Sequence, residues 1–549
     1  MIRNKNILRG PTNVFVPART NFGEILIEKL WEFRDNVCLI NGATDERITY
    51  GEILQQAMNV AISLSHMGVR KGQTVALCSE NRVEFLPAAI GAIFAGAIVT
   101  TANVAYTPGE LKHVFGISKP TTIFCSPFSY KAHSKTLKTL PYLKKVILFG
   151  EPIRGTIAYN TLAMPSSNAN SNELFNVKTN TLLRNVRYEE FEVVDVKGPM
   201  DTLFILYSSG TTGLPKGVML SHLNILTCCA LPASSDPKVL SMTVIPWYHV
   251  FGLCGSFTGM VTGRTAVFLP KFDVELFMKT IEKYKVYVIT VVPPIVVAVC
   301  KSPLQYDLSS VRLILCGAAP LHKDTIQDIK FKFPNAIAMQ GYGMTEITLG
   351  VTKDTYEVAH LHQIGSVGHV VPGSVIKIAD IETGKALGPN QRGEIRAKGP
   401  LIMKGYVNKD SSEEFDEEGF FKTGDVGYYD DGGSVFVVDR LKELIKYKGY
   451  QVPPAELEAV LLQHEGVKDV GVVGKDSKEA GEVPVAFVVV QPGATVTEED
   501  LKKFVAERLS NPKHLRGGVR FVEQIPKNPS GKILRKELRA IVRREKSKL

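Results

Sequence analysis

The sequence predicts an α/β protein: a large N-terminal domain of layered α/β sheets with a β-rich subdomain, then a small α+β C-terminal domain. Three observations carry this. Short apolar runs of strand length alternate with helical patterns over residues 1–200 and again after residue 218, as layered α/β architectures require. From about 365 to 437 the pattern becomes short alternating strands broken by Gly384, Gly388-Pro389, Gly393, Gly405, Gly419 and Gly432-Gly433. From Asp439 the grammar changes again, to a βαββα-like tail that can fold by itself. The division is 1–438, a hinge at 439–442, and 443–549. A chain of 549 residues also exceeds one ordinary core.

In chain order, 52–64 reads as a helix, 74–78 as a strand and 86–97 as an Ala/Gly-rich buried helix. Residues 150–190, rich in Asn, Ser and Thr, read as an exposed connection. Runs 203–207 and 218–220 are buried strands, as are 286–292 and 313–316, and 274–284 is a helix. In the tail, 456–464 is a short amphipathic helix, 467–473 and 483–490 are strands, and 497–509 is a helix opened by Thr497 with Asp500 three residues on, the pattern of a capping box.

Composition excludes several classes. Apolar content of 44% and charge of 22% are those of a globular protein. The longest apolar runs, 86–99 and 286–300, fall short of a membrane span, and no apolar segment follows the basic start Met1–Asn6 as a secretory signal needs. Eight cysteines without Cys-x-x-Cys spacing point to reduced, buried thiols and no structural zinc. The net charge of +10 is concentrated in 501–549, where fifteen Lys/Arg face four Asp/Glu. That tail is either a solvated surface or a cap that meets an anionic ligand. Nucleic acid is the weaker option, since the aromatic interleaving of a stacking surface is absent. The last three residues, Ser547-Lys548-Leu549, are a receptor-read peroxisomal address, which predicts a peroxisomal protein with the import receptor as partner.

The chemistry centres on Ser208-Ser209-Gly210-Thr211-Thr212-Gly213-Leu214-Pro215-Lys216-Gly217, set between two strand patterns. Its glycines free the backbone to turn N–H groups toward one point, and four hydroxyls and a lysine surround that point, which suits a polyphosphate. No Gly-Lys-Ser/Thr occurs in it, so it is not the Walker loop. Gln340-Gly341-Tyr342-Gly343-Met344-Thr345-Glu346 joins an aromatic face, a hydroxyl and a carboxylate, suited to a purine and to a phosphate with its Mg²⁺; alone it reads equally as a packed turn. Thr423-Gly424-Asp425 offers an acid to ribose hydroxyls, and 439–451 is a basic run at the domain boundary. Pro526–Ile533 puts Lys532 on a Pro/Gly-held loop.

In this order and spacing the motifs resemble the adenylate-forming superfamily of acyl-CoA synthetases, 4-coumarate–CoA ligases and beetle luciferases, from about residue 25 to the end. Within it the chain is most similar to the insect luciferase-like fatty acyl-CoA synthetases. The resemblance implies that a carboxylic acid attacks the α-phosphorus of ATP to give an acyl-adenylate, and that CoA then displaces AMP. It implies roles for residues. Ser208, Ser209, Gly210, Thr211, Thr212 and Lys216 would hold the β- and γ-phosphates. Gly317, Ala318, Ala319, Gln340, Gly341 and Tyr342 would flank the adenine. Thr345 would bind the α-phosphate, Glu346 with Thr211 would hold Mg²⁺, and Asp425 and Arg440 would bind ribose. Lys532 would bridge carboxylate and α-phosphate. The small mobile domain would then rotate about Lys442 to bring Lys446, Lys448, Gly449 and Gln451 toward CoA, opposite Lys271. His249, Phe251, Gly252, Leu349 and Gly350 would line the acid pocket.

Two departures from the beetle luciferases bear on the acid. Cys228 stands where those enzymes have an arginine, and Leu349 where they have a serine. A narrower, more apolar slot favours an aliphatic tail. The expected activity is therefore a medium- to long-chain fatty acyl-CoA synthetase. Alternatives are a luciferase-type monooxygenase, a 4-coumarate-type aromatic acid–CoA ligase, a carrier-charging module, and a silent acyl or nucleotide binder.

Overall fold

The computed structural model describes residues 6–12, 16, 21–166, 173–208, 215–231, 239–318, 321, 323–354, 362–527 and 533–546. Among these the strands ahead of residue 441 assemble into three large sheets and two two-stranded ones, Phe175–Asn176 with Thr181–Leu182 and Thr352–Lys353 with His369–Val370. The first runs Gly405–Tyr406, Lys216–Ser221, Thr202–Ser208, Ile98–Thr101, Thr74–Cys78, Thr122–Cys125, Lys145–Leu148, Ile157–Ala158. It is parallel from Thr202–Ser208 onward and antiparallel at the other edge. The second runs Ile337–Gln340, Leu313–Cys316, Val288–Val291, Ser241–Thr243, Ala266–Phe268, Val37–Asn41, Arg47–Thr49, parallel except for its last strand. The third is the predicted β-rich subdomain, an antiparallel sheet in the order Ile7–Arg9, Val375–Ala379, Gly393–Lys398, Phe421–Tyr429, Val435–Arg440.

Parallel strands need cover on both faces, and their composition shows it: every residue of Thr74–Cys78 is buried. The helix Phe85–Phe94 is buried throughout because Ala88, Ala89, Gly91 and Ala92 let it approach the helix Tyr50–His66. A Cβ on Gly91 would lie 2.6 Å from Val60. One apolar core joins residues from Phe22 to Val435, a second lies beneath the second sheet, and a separate one begins at Ile445. That last core belongs to the sheet Tyr450–Val452, Ile445–Tyr447, Gly481–Val490, Val467–Ser477, which Val519–Phe521 joins in parallel. Thr497 caps the helix Glu498–Ala506 through the capping box that the sequence predicts.

The structure corrects the reading of 150–190 as an exposed connection. Tyr159, Leu162, Phe175, Leu182 and Val186 are buried. Gln55, Asn59 and Ser63, one helical face of Tyr50–His66, donate to the backbone oxygens of Val186, Ala163 and Leu162 at 2.9, 2.7 and 3.0 Å. A polar stripe on a buried helix face thus ties the segment down. The basic tail is also less free than its composition suggests. Arg535 is buried between Glu443 (2.8 Å) and Glu458 (2.7 Å), and Lys527, Lys513 and Lys502 pair with Asp469, Glu456 and Glu498.

Candidate active site

Ser208 and Lys216 are register partners at the open end of an antiparallel pair, so the loop between them is a hairpin tip and its two ends meet. Ser209, Gly210, Thr211 and Thr212 lie outside the described residues. The Ser208 hydroxyl is buried and has no hydrogen-bond partner among the described residues. A buried hydroxyl without a partner is uncommon in a native fold, and a ligand oxygen is one group that would satisfy it. Lys216 lies over the Tyr406 ring, its ammonium 4.4 Å from the centroid, and 3.4 Å from Glu414. Tyr406 in turn donates its hydroxyl to Glu346 at 3.0 Å. The carboxylate of Glu346 is therefore brought within one side chain of Lys216, although 130 positions separate them. Thr345 and Glu346 sit on the single 3-10 turn Thr345–Ile347.

The adjoining wall comes from the carboxyl ends of two neighbouring parallel strands, where ligands gather in open α/β sheets. Cys316 and Gln340 are register partners, so Gly317-Ala318 and Gly341-Tyr342 leave the sheet side by side. Ala318 has φ +70°, a turn conformation that few non-glycine residues adopt. Ala319 lies outside the described residues. The Gln340 side chain is spent on bracing: its oxygen accepts from the Leu321 N–H at 2.7 Å, and its amide donates to the Ser366 carbonyl at 3.4 Å. Tyr342 is buried and donates to Asp425 at 2.7 Å; Arg440 approaches the other carboxylate oxygen at 3.3 Å. Asp425 and Arg440 are themselves register partners in adjacent strands. An aromatic face, a carboxylate and a guanidinium thus stand together, as a nucleoside requires.

Beside them, Tyr342–Thr352 folds back on itself as a tight loop. Tyr342 accepts from the Val351 N–H at 3.1 Å, and a Cβ on Gly343 would fall 1.5 Å from the Leu349 carbonyl oxygen. Two successive non-glycine residues, Thr348 (φ +47°) and Leu349 (φ +85°), are left-handed there. The Thr348 hydroxyl donates to the Leu401 carbonyl at 2.5 Å and holds the strained turn. Leu349 and Gly350 are half-buried. Phe251, at the start of the helix Val250–Val261, packs its ring against Gly317, and Gly252 is required because a Cβ would meet the Pro246 carbonyl at 2.3 Å. His249 precedes that helix. Its Nε2 is buried without a partner among the described residues, and burial pushes its pKa down to about 4, so the imidazole is neutral at neutral pH. Cys228 is buried in the same core as Cys254.

The small-domain residues form a group of their own. Lys446, Lys448, Gly449 and Gln451 are all exposed on the hairpin Ile445–Tyr447 and Tyr450–Val452, whose tip is left-handed at Lys448 (φ +46°) and Gly449 (φ +82°). Lys271 and Lys442 are exposed as well. Lys532 and Ser547–Leu549 lie outside the described residues. At the junction, Asp439 accepts from the Arg440 N–H at 2.7 Å and from the Ala455 N–H at 2.9 Å, which caps the helix Pro454–Leu461 from a distance.

The sequence model of the AMP-binding enzyme family matches residues 28–407, and that of the AMP-binding enzyme C-terminal domain matches residues 456–532. The chain belongs to the AMP-binding enzyme family. It is an adenylate-forming, acid–CoA ligase-type member with the large N-terminal and small C-terminal domains of that superfamily. It is 38% identical to a 4-coumarate–CoA ligase of Solanum tuberosum over 96% of this chain and 95% of that one. A luciferin 4-monooxygenase of Nipponoluciola cruciata is 37% identical over the whole of both. Among solved structures, ATP-bound MatB from Rhodopseudomonas palustris matches with a TM-score of 0.81 and 28% identity, over 95% of this chain and 99% of that one.

Three residues of this AMP-binding enzyme's site escape motif reading. Tyr406 and Glu414 reach Lys216 only through tertiary folding, and Thr348 acts through a hydrogen bond to a carbonyl 53 positions away. The Gly405-Tyr406 pair, a glycine before an aromatic residue at a strand edge, is the one sequence signal for Tyr406.

Proposed function

We propose that this chain uses ATP to convert a carboxylic acid to its acyl-adenylate and then passes the acyl group to CoA. The observation that carries the proposal is the convergence just described: an unsatisfied hydroxyl and a lysine at a hairpin tip, Glu346 one side chain away, and Tyr342, Asp425 and Arg440 on the adjoining wall. In this reading Ser208 and Lys216 hold the phosphate oxygens, Thr345 donates to the α-phosphate, and Asp425 accepts from the ribose hydroxyls. His249, as a neutral imidazole, orients the acid's carboxylate without adding charge. Glu346 offers one oxygen to Mg²⁺, which neutralises phosphate charge when bound. Phosphate oxygens and water would supply the other ligands, as Mg²⁺ ordinarily prefers. Catalysis is by position and charge, since no protein nucleophile is required. Lys532 in the first half-reaction, and Lys446 with Lys448 in the second, complete the scheme through rotation of the small domain.

For the acid, the relatives support an aromatic acid of the 4-coumarate type ahead of the fatty acid expected from the sequence. A second reading, a fatty acid, rests on one observation: Leu349 places an apolar side chain on the strained turn beside the Tyr342 wall. ATP–pyrophosphate exchange with cinnamates, medium- and long-chain fatty acids and luciferin, without and then with CoA, tests all of these. Exchange with cinnamates and CoA-dependent AMP release is the expected result. Exchange only with fatty acids moves the assignment to the second reading, and exchange with none overturns the function. Peroxisomal delivery is part of the proposal; a fluorescent fusion that reaches peroxisomes with Ser547-Lys548-Leu549 and fails without them tests it.

A further inference from the structure

Glu414 has no place in the chemistry above, yet it touches the phosphate-binding lysine. It ends the 3-10 turn Ser412–Glu414 and is about three-quarters buried. One of its carboxylate oxygens serves two ammonium groups, Lys409 at 2.8 Å and Lys216 at 3.4 Å. Both lysines also lie over the Tyr406 ring, at 5.4 and 4.4 Å from its centroid. The turn is tied to that ring from behind, because the Ser411 hydroxyl accepts from the Tyr406 N–H at 2.9 Å. Tyr406 is in turn fixed to the phosphate hairpin by pairing with Val218. Glu414 is thus built into the site.

The contacts divide the labour. The ring holds Lys216 in place by a cation–π contact, which needs no counter-ion. The carboxylate is held by Lys409, the nearer cation, and meets Lys216 at a distance longer than a charged hydrogen bond usually has. We propose that Glu414 is an exchangeable counter-charge for Lys216: it occupies the lysine in the empty enzyme, yields it to the β- and γ-phosphates, and repels those phosphates enough to set how tightly ATP is held and how readily pyrophosphate leaves. This rests on the nucleotide reading above and adds to it a residue that tunes the polyphosphate end of the site. Burial raises the Glu414 pKa, and the hydrogen bond from Lys409 with the charges of both lysines outweighs it, so the carboxylate stays ionised.

The consequence is selective. AMP lacks the two phosphates that compete with Glu414, so its binding should ignore the residue, whereas ATP and pyrophosphate should feel it alike. Calorimetric titration of the full chain with Mg-ATP, Mg-pyrophosphate and AMP, with no acid substrate present, reads this directly. Glu414→Gln is expected to tighten ATP and pyrophosphate by about two- to fivefold, the range of a partly exposed ion pair, and to leave AMP unchanged. Glu414→Asp should return both toward wild type. Lys409→Met removes the cation that draws Glu414 away from Lys216 and should weaken ATP while leaving AMP alone. A merely structural residue would move all three ligands together; that result, or ATP affinity unchanged or weakened in Glu414→Gln, overturns the proposal. Wild-type protein that binds neither nucleotide overturns the nucleotide reading itself, and this proposal with it.

Discussion

Asp425→Asn tests the ribose assignment at its most exacting point. The substitution keeps the shape of the side chain, and the remaining carbonyl oxygen can still accept from Tyr342, now 2.7 Å from the carboxylate. Arg440, at 3.3 Å and a quarter exposed, loses a partner but not its hydration, so the cost to folding is small. Under that assignment, what is lost is the charged acceptor for two ribose hydroxyls. Hydrogen bonds to a charged group contribute about 1.5–3 kcal/mol each, and an amide oxygen recovers part of one of them. The net loss is about 2–3 kcal/mol, or about 30- to 150-fold weaker AMP binding. Titration with AMP gives the number, and thermal unfolding shows whether the fold survived. Tyr342→Phe sharpens the test: it removes the same hydrogen bond from the other side and should weaken AMP by less than about tenfold, since the ring remains. Wild-type-like AMP affinity in Asp425→Asn, with the melting temperature unchanged, would refute the assignment.

Gly343→Ala should cost about 3 kcal/mol or more in urea denaturation, because its Cβ would stand 1.5 Å from the Leu349 carbonyl oxygen and the strained turn cannot retreat; a loss under about 1 kcal/mol would mean that the turn is soft. His249→Ala should lower kcat/KM for the acid by about 10²-fold and leave AMP affinity unchanged, and a parallel loss of AMP binding would show that the imidazole is structural. Arg535→Met leaves Glu443, Glu458 and Asp439 buried without their cation and should destabilise the small domain by about 3–5 kcal/mol, read by hydrogen exchange across 445–519. Burial pushes the Glu458 pKa up to about 7, above its ordinary 4.5. The folded chain therefore binds the extra proton between those values, and stability falls as pH rises through that window. Glu458→Gln should flatten the dependence, and an unchanged slope would place the proton elsewhere.

Local features of the fold are legible in the sequence. The strand Leu313–Cys316 and the helix Val274–Tyr284 fall at the bounds the apolar pattern gives, and Thr497 with Asp500 forms the cap its spacing predicts. These depend on neighbours within one or two turns of chain. What depends on distant partners is not legible. The Asn/Ser/Thr-rich 150–190 reads as solvated because its anchors, Gln55, Asn59 and Ser63, are a hundred residues away on a helix that looks merely apolar. The site motifs are readable as a set, but Gln340 turns out to brace backbone, and the link from Lys216 through Tyr406 to Glu346 exists only in the folded chain. The class of acid escapes for the same reason: Leu349 is visible as a residue, whereas its left-handed backbone and the turn that holds it are not.

Asp439 and Arg440 are consecutive, yet they serve different halves of the molecule: one caps a helix of the small domain, the other reaches the Asp425 carboxylate. Dividing this chain into two complementing fragments for a proximity reporter therefore has an unequal choice of cut. Severed between 439 and 440, each fragment keeps a residue that the other needs. Severed after Lys442, the large fragment keeps the Asp425–Arg440 pair, and the small one regains its helix cap only when the two pieces meet. Reassembly in that arrangement would be felt at the Asp425–Arg440 pair across a single peptide bond.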